Sequence, residues 1–260
     1  MKTFLLSLLL YSCLFAATAG AAGDEHALFS AVLAEHVKDG RVDYAALKTD
    51  VRLGRYLAQL AATDPATLAS EAERLAFWLN AYNAYTLKLI VDHAPVKSII
   101  EIGTGGLVLG SLLKTTAWDI RFATIGGKKY TLNEIEHGII RRQFKDARVH
   151  FALVCASTSC PVLRTEAYEA GALDRQLDEQ ARLFVRDPIK NRFEITTKTA
   201  QLSSIFKWYG SDFGTGERAV LLAVAKYAPE EVRRAVEAEP DAWKVKYLDY
   251  DWSLNAAGNK

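Results

Sequence analysis

The chain has 260 residues, half of them hydrophobic and 24% charged, a balance that excludes a disordered or collagen-like protein and allows a sizeable core. Its 32 basic residues stand against 31 acidic ones. That near-neutrality argues against a dedicated nucleic-acid binder, which needs a surplus of positive charge.

Met1 and Lys2 precede the apolar run Thr3 to Phe15 and the small-residue segment AATAGAAG. This is the pattern of a secretory signal peptide over residues 1–21, with Ala19 and Ala21 framing its cleavage site. The apolar run is short for a bilayer span and ends in small residues instead of a basic stop. Cys13 lies in this segment behind the bulky Tyr11, which does not suit a lipoprotein cleavage box. The expectation is an exported protein, periplasmic or secreted, with residues 22–260 forming one globular domain. No later apolar run is long enough to span a membrane, so no stable membrane span is expected after cleavage.

Apolar residues at helical spacing predict a helix over His26 to Val37, and a weaker pattern predicts a second over Val51 to Ala61. The strongest helix opens with the capping box Ser70 and Glu73 and runs to about His93, before Pro95. It is apolar nearly all round, which marks a buried helix. Asn80 and Asn83 interrupt it on one face, although asparagine prefers turns and caps. Their amides must therefore be used, either to pin loop backbone or to orient a catalytic group or ligand.

The glycine-rich segment 98–110 lacks the spacing of a dinucleotide or phosphate loop and reads as a packed loop. Residues 118–125 and 128–132 alternate around Gly126 and Gly127, the two-residue hairpin signal. Thr131 and Glu134 form a second capping box, opening a helix that carries Glu136, His137, Arg141 and Arg142.

Residues 148–155 alternate as a strand with both faces largely apolar, which predicts a central strand. Cys160 followed by Pro161 reads as a helix cap and first-turn proline, a place where the helix dipole would favour a thiolate. An amphipathic helix over Asp174 to Val185 follows, then an extended stretch at 192–197. A short aromatic helix, capped by Ser203 or Ser204 and leaving at Gly210, comes next and reads as satellite core. Two helices, over 217–227 and 229–239, precede an extended end at 244–255. The fold class expected is mixed α/β or α+β, with a small sheet that includes 148–155 packed against the buried long helix and several other helices.

The motifs FWLNAYNA, HFALVCASTSCP, FKWYGSDF and YDWSLN occur in that order and resemble the domain of unknown function 547 family, over about residues 70–255. The resemblance implies a single domain found in exported bacterial proteins and, in eukaryotes, attached to other modules. Such breadth is compatible with an enzyme and equally with a binding scaffold. It brings no established catalytic residues.

Thiol catalysis needs a nucleophile, a base in reach and a group that orients the base. Cys160 and Cys155 are the candidate nucleophiles, His150 and His137 the candidate bases, and Asn80, Asn83 or Glu136 the candidate orienting groups. In an ideal strand His150 and Cys155 point to opposite faces, an obstacle to their meeting. A disulfide between Cys155 and Cys160 is the competing state in an oxidising compartment. A cysteine phosphatase is excluded, because neither cysteine has the required arginine six positions on. Paired short ligand spacings are absent, so no metal is expected, and no cofactor either. The sequence thus supports an exported thiol-dependent hydrolase or acyl transferase, with Cys160, Cys155, His150 and Asn83 as its site. The competing class is a noncatalytic envelope binding or scaffold domain. A small molecule or peptide is the expected ligand.

Overall fold

Helix α4 (Glu71–His93) is the element on which the first core is built. Its N-terminus is closed as the sequence predicts, with Ser70 N–H donating to Glu73 Oε2 at 2.8 Å and Glu73 N–H donating to Ser70 Oγ at 3.1 Å. Trp78, Leu79, Tyr82 and Leu89 are all buried, each contributing roughly 1.5–3 kcal/mol by removing apolar surface from water. The computed structural model describes residues 25–103 and 115–258. The expected signal peptide and most of the glycine-rich loop lie outside them.

Around α4 pack α1 (Ala27–His36), α2 (Tyr44–Leu47) and α3 (Val51–Ala62), contributing Phe29, Leu33, Leu47, Tyr56 and Leu60 to one buried cluster, with the short antiparallel pair β1 (Val37–Lys38) and β2 (Arg41–Val42) between α1 and α2. The hairpin of β3 (Ala123–Ile125) and β4 (Lys128–Tyr130) pairs Ile125 with Lys128 across Gly126 and Gly127, whose φ values are +54° and +73°. Positive φ at both turn positions is what a two-residue hairpin demands. The hairpin leans on α4: Trp78 meets the Tyr130 ring edge-on at 5.7 Å, and Tyr85 Oη accepts from Thr124 N–H at 3.1 Å.

A second cluster gathers around helix Leu173–Arg186 and the sheet of β5 (Arg192–Glu194), β6 (Thr199–Leu202) and β7 (Lys244–Tyr247). β5 runs antiparallel to β6, and β6 parallel to β7. The crossover between β6 and β7 holds four helices, Ile205–Trp208, Gly210–Phe213, Glu217–Ala225 and Glu230–Ala238. Ser204 is the N-cap residue of the first of these, while Ser203 Oγ accepts from Ile205 N–H at 3.3 Å. Gly210 begins the second short helix instead of ending the aromatic one, and the exit falls at Gly214 with φ +146°. The fold is mixed α/β, mostly helical with small sheets.

The segment between the clusters departs from expectation. Residues 148–155 belong to no sheet; Ala147–Phe151 is a 3-10 helix capped by Asp146, and the chain then runs on irregularly. Alternating apolarity arose here because the segment is buried on every side, which periodicity cannot separate from a central strand. Its backbone finds partners outside any ladder. Asn83 Nδ2 donates to Ala152 O and Asn83 Oδ1 accepts from Val154 N–H, both at 3.0 Å, while Gln180 Nε2 donates to Phe151 O at 3.2 Å. No helix starts at Pro161 either. Cys160 N–H closes a turn onto Ser157 O at 3.2 Å, and the next helical residues are Ala170–Ala172.

Candidate active site

A cavity of about 250 Å³ opens between the two clusters, bordered by Tyr82 from α4, Cys155 and Cys160 from the irregular segment, and His150 just before them. Further walls come from Trp118, from Glu136 and His137, from Trp208 and Tyr209, and from Tyr250 and Trp252 near the C-terminus. Glu136 and His137 lie on Glu134–Ile140, a π-helical stretch opened by the predicted capping box, with Glu134 N–H donating to Thr131 Oγ1 at 3.0 Å. Such wide turns recur at functional sites, because they re-aim side chains that a regular helix would spread.

Ala156 bends the cysteine loop with φ +60°, a left-handed conformation uncommon outside glycine. The C-terminal strap then holds it. Thr158 N–H donates to Ser253 O at 2.8 Å, Ser159 N–H to Asp251 O at 3.2 Å, and Asn255 N–H to Ala156 O at 3.0 Å. These bonds bring Cys155 Sγ to 2.9 Å from Cys160 Sγ, with both cysteines free. That separation is well beyond the ~2.05 Å of a disulfide, so the expected alternative of a bonded pair is not the state of this structure.

The two thiols are electrostatically unlike. Cys155 is half-buried, and the S–H of Cys160 beside it is the largest influence lowering its pKa, to about 7. Ser157 Oγ and Tyr250 Oη, each 3.2 Å from Cys155 Sγ, act in the same direction against the cost of burial. Cys160 is buried, and desolvation followed by the neighbouring Cys155 pushes its thiol well above the ordinary range. Cys160 Sγ also accepts from Cys155 N–H at 2.8 Å. The helix-dipole argument for Cys160 therefore fails, since no helix begins there, and Cys155 is the thiol whose surroundings favour ionisation.

His150 and Asp212 form a second unit. His150 Nε2 lies 2.7 Å from Asp212 Oδ2, the ring stacks on Tyr209 at 4.1 Å between centroids, and burial lowers the imidazole pKa despite the carboxylate. A neutral ring donating Nε2–H to Asp212 keeps a lone pair on Nδ1. Arg141 grips the same carboxylate, through Nε at 2.6 Å and Nη2 at 2.9 Å, and is the main reason the Asp212 carboxyl is held well below its usual range. Because 147–151 is 3-10 helix and not strand, the opposite-face obstacle disappears, and His150 borders the same cavity as both cysteines. Hydrogen bonds to either sulfur come from cysteine, serine, tyrosine and backbone groups, none from a histidine.

Asn83 lies beneath this site without bordering it, fixing the backbone at Ala152 and Val154. Asn80 does the same for a different loop, exchanging two 2.8 Å bonds with the Tyr168 backbone. Both amides thus pin loop backbone. Sequence reasoning missed Ser157, Tyr209, Asp212 and Tyr250; the last three fall in FKWYGSDF and YDWSLN, whose aromatic density reads equally as core. Among the described residues one group has metal-ligand proximity, Glu35, His36 and Asp50, away from the cavity. Arg52 already bridges Glu35 and Asp50 there, offsetting one of the two carboxylate charges.

Residues 65–185 match the model of a family described as "Protein of unknown function, DUF547". The DUF547 match takes in α4, the hairpin, the π-helical stretch and both cysteines, and it ends before Trp208, Tyr209, Tyr250 and Trp252, which complete the cavity. No curated protein and no solved structure matches the chain.

Proposed function

We propose that the chain is an exported thiol-dependent hydrolase or acyl transferase with Cys155 as its nucleophile. The observation that carries this reading is a half-buried thiol at the wall of a cavity, with the Cys160 sulfur at 2.9 Å and the Ser157 and Tyr250 hydroxyls each at 3.2 Å, contacts that lower its pKa to about 7. A thiol of that pKa is substantially thiolate at neutral pH and needs no separate base to deprotonate it. Its Sγ attacks an acyl carbonyl carbon; the S–C bond forms, the carbonyl electrons move to oxygen, and collapse expels the leaving group to give a thioester. Water or an acceptor nucleophile then attacks that carbonyl, giving its proton to His150 Nδ1, and the S–C bond breaks to return the thiolate. Cys160, Ser157 and Tyr250 hold the sulfur, while Asp212 and Tyr209 hold the imidazole. The apolar run Thr3 to Phe15 supports export.

The competing reading, a noncatalytic binding domain, draws on one observation, that neither sulfur is hydrogen-bonded to a histidine. Replacing Cys155 by serine separates the two. The enzyme reading expects turnover of an activated thioester or aryl ester to fall by about a thousandfold or more, with the melting temperature almost unchanged. Turnover that survives in Cys155→Ser, or none in the parent protein, would give the site to binding alone.

A further inference from the structure

The cavity wall combines aromatic rings with negative charge. Trp208 lies within 5.8 Å of Trp252 at an interplanar angle of 22° and within 4.8 Å of Tyr250, and Trp118 meets Trp252 at 5.9 Å. All four rings border the cavity, and Trp208 is 47% exposed to solvent. The same 250 Å³ space is bordered by Glu136, only 5% exposed. A buried carboxylate demands a partner, and among the described residues Glu136 makes no ion pair with a lysine or arginine. Tyr209 gives it a hydrogen bond. His137 Nδ1, at 3.9 Å, accepts from Arg141 Nη1 at 3.1 Å and so has no proton to offer. Arg141 is near enough to be influenced by Glu136, but its guanidinium is committed to Asp212. Among the described residues no lysine or arginine borders the cavity, and the Cys155 sulfur, whose thiolate its neighbours favour, borders it as well.

We infer that this cavity takes a substrate carrying a compact organic cation, an ammonium group held between the aromatic wall of Trp208, Tyr250 and Trp252 on one side and the Glu136 carboxylate on the other. Indole faces attract ammonium groups through the ring quadrupole, most strongly where water is displaced, and a carboxylate in the same small space adds Coulomb attraction that bulk water would screen. Phosphorylated or carboxylated substrates are disfavoured by the same charges. The inference rests on reading the cavity as the substrate site of a Cys155 enzyme, and it adds the class of group that enters.

The probe is choline, set against its neutral carbon isostere 3,3-dimethylbutan-1-ol, with two readouts on the full folded protein: intrinsic tryptophan fluorescence and the rate of Cys155 alkylation by iodoacetamide. Choline is expected to perturb the fluorescence and slow the alkylation at concentrations about tenfold or more below those of the isostere, the scale of a desolvated cation–π contact. Glu136→Gln and, separately, Trp208→Leu should each narrow that preference, and the half-exposed Trp208 can be replaced without emptying a core. Equal effects of the two probes, or none from either while Cys155 alkylates rapidly, would overturn the cation assignment and leave the thiol enzyme standing. A Cys155 that alkylates slowly with no probe present would remove the thiol enzyme, and the fluorescence preference would then decide the cation site by itself.

Discussion

Helix α4 and the segment 147–161 are both deeply buried, yet they satisfy their backbones by opposite means. The helix closes its own hydrogen bonds and needs a capping box at one end. The cysteine segment has no ladder, and depends on Asn83 and Gln180 from helices and on the strap at 251–255 for its N–H and C=O partners. Self-sufficient backbone builds the core. Backbone held from outside can adopt the left-handed turn at Ala156 and present two sulfurs to one cavity, a strained arrangement of the kind that collects at functional sites.

Asn83→Ala strikes where the two regions meet. It leaves Ala152 O and Val154 N–H unpaired in the interior, and we expect a loss of about 2–4 kcal/mol together with slower alkylation of Cys155. Asn80→Ala, which frees the Tyr168 backbone instead, should cost comparable stability in denaturant melts and leave Cys155 reactivity as it was. If both variants alter the thiol equally, the segment is not held locally as described.

Asp212→Asn tests the histidine end of the same segment. At neutral pH it should lower stability by about 1–3 kcal/mol, since Arg141 and His150 lose a charged partner. Asp212 has its folded pKa depressed, so its contribution is full above the ordinary carboxylate value of about 4 and is lost as pH falls towards the folded pKa. The gap between variant and parent should therefore close in acid. A gap that widens below pH ~4 would contradict the assignment.

Tyr250→Phe is the mildest perturbation, removing one hydroxyl from the Cys155 sulfur. The alkylation midpoint should rise by about one pH unit, the size of one hydrogen bond to a charged group, with little change in the melting temperature. An unchanged midpoint would leave Cys160 and Ser157 as sufficient.

What the sequence made legible follows the same division. α4, its capping box, the Gly126–Gly127 hairpin and the Thr131–Glu134 box are local patterns whose residues answer to neighbours a few positions away. Residues 147–161 answer to Asn83, Gln180 and the strap, as many as about 100 positions distant, so alternation at 148–155 suggested a strand that does not exist. Cys160–Pro161 imitated a helix start for the same reason: a local signal was read where the turn from Ser157 and the strap decide the path. The cysteines, His150 and Asn83 were visible as chemistry, and three of them reach the cavity wall while Asn83 supports it from beneath. Asp212 and Tyr250 were invisible as site residues because their roles exist only once distant stretches meet.

The most direct test of the account is the pH dependence of iodoacetamide labelling of the two thiols, read residue by residue by mass spectrometry before and after unfolding. We predict that Cys155 labels with a midpoint near pH 7, its rate falling below that pH as the thiolate takes up a proton, while Cys160 labels only after unfolding. Labelling of Cys160 ahead of Cys155, a midpoint for Cys155 at the ordinary thiol value of about 8.5, or labelling of either thiol only after a reductant would contradict it.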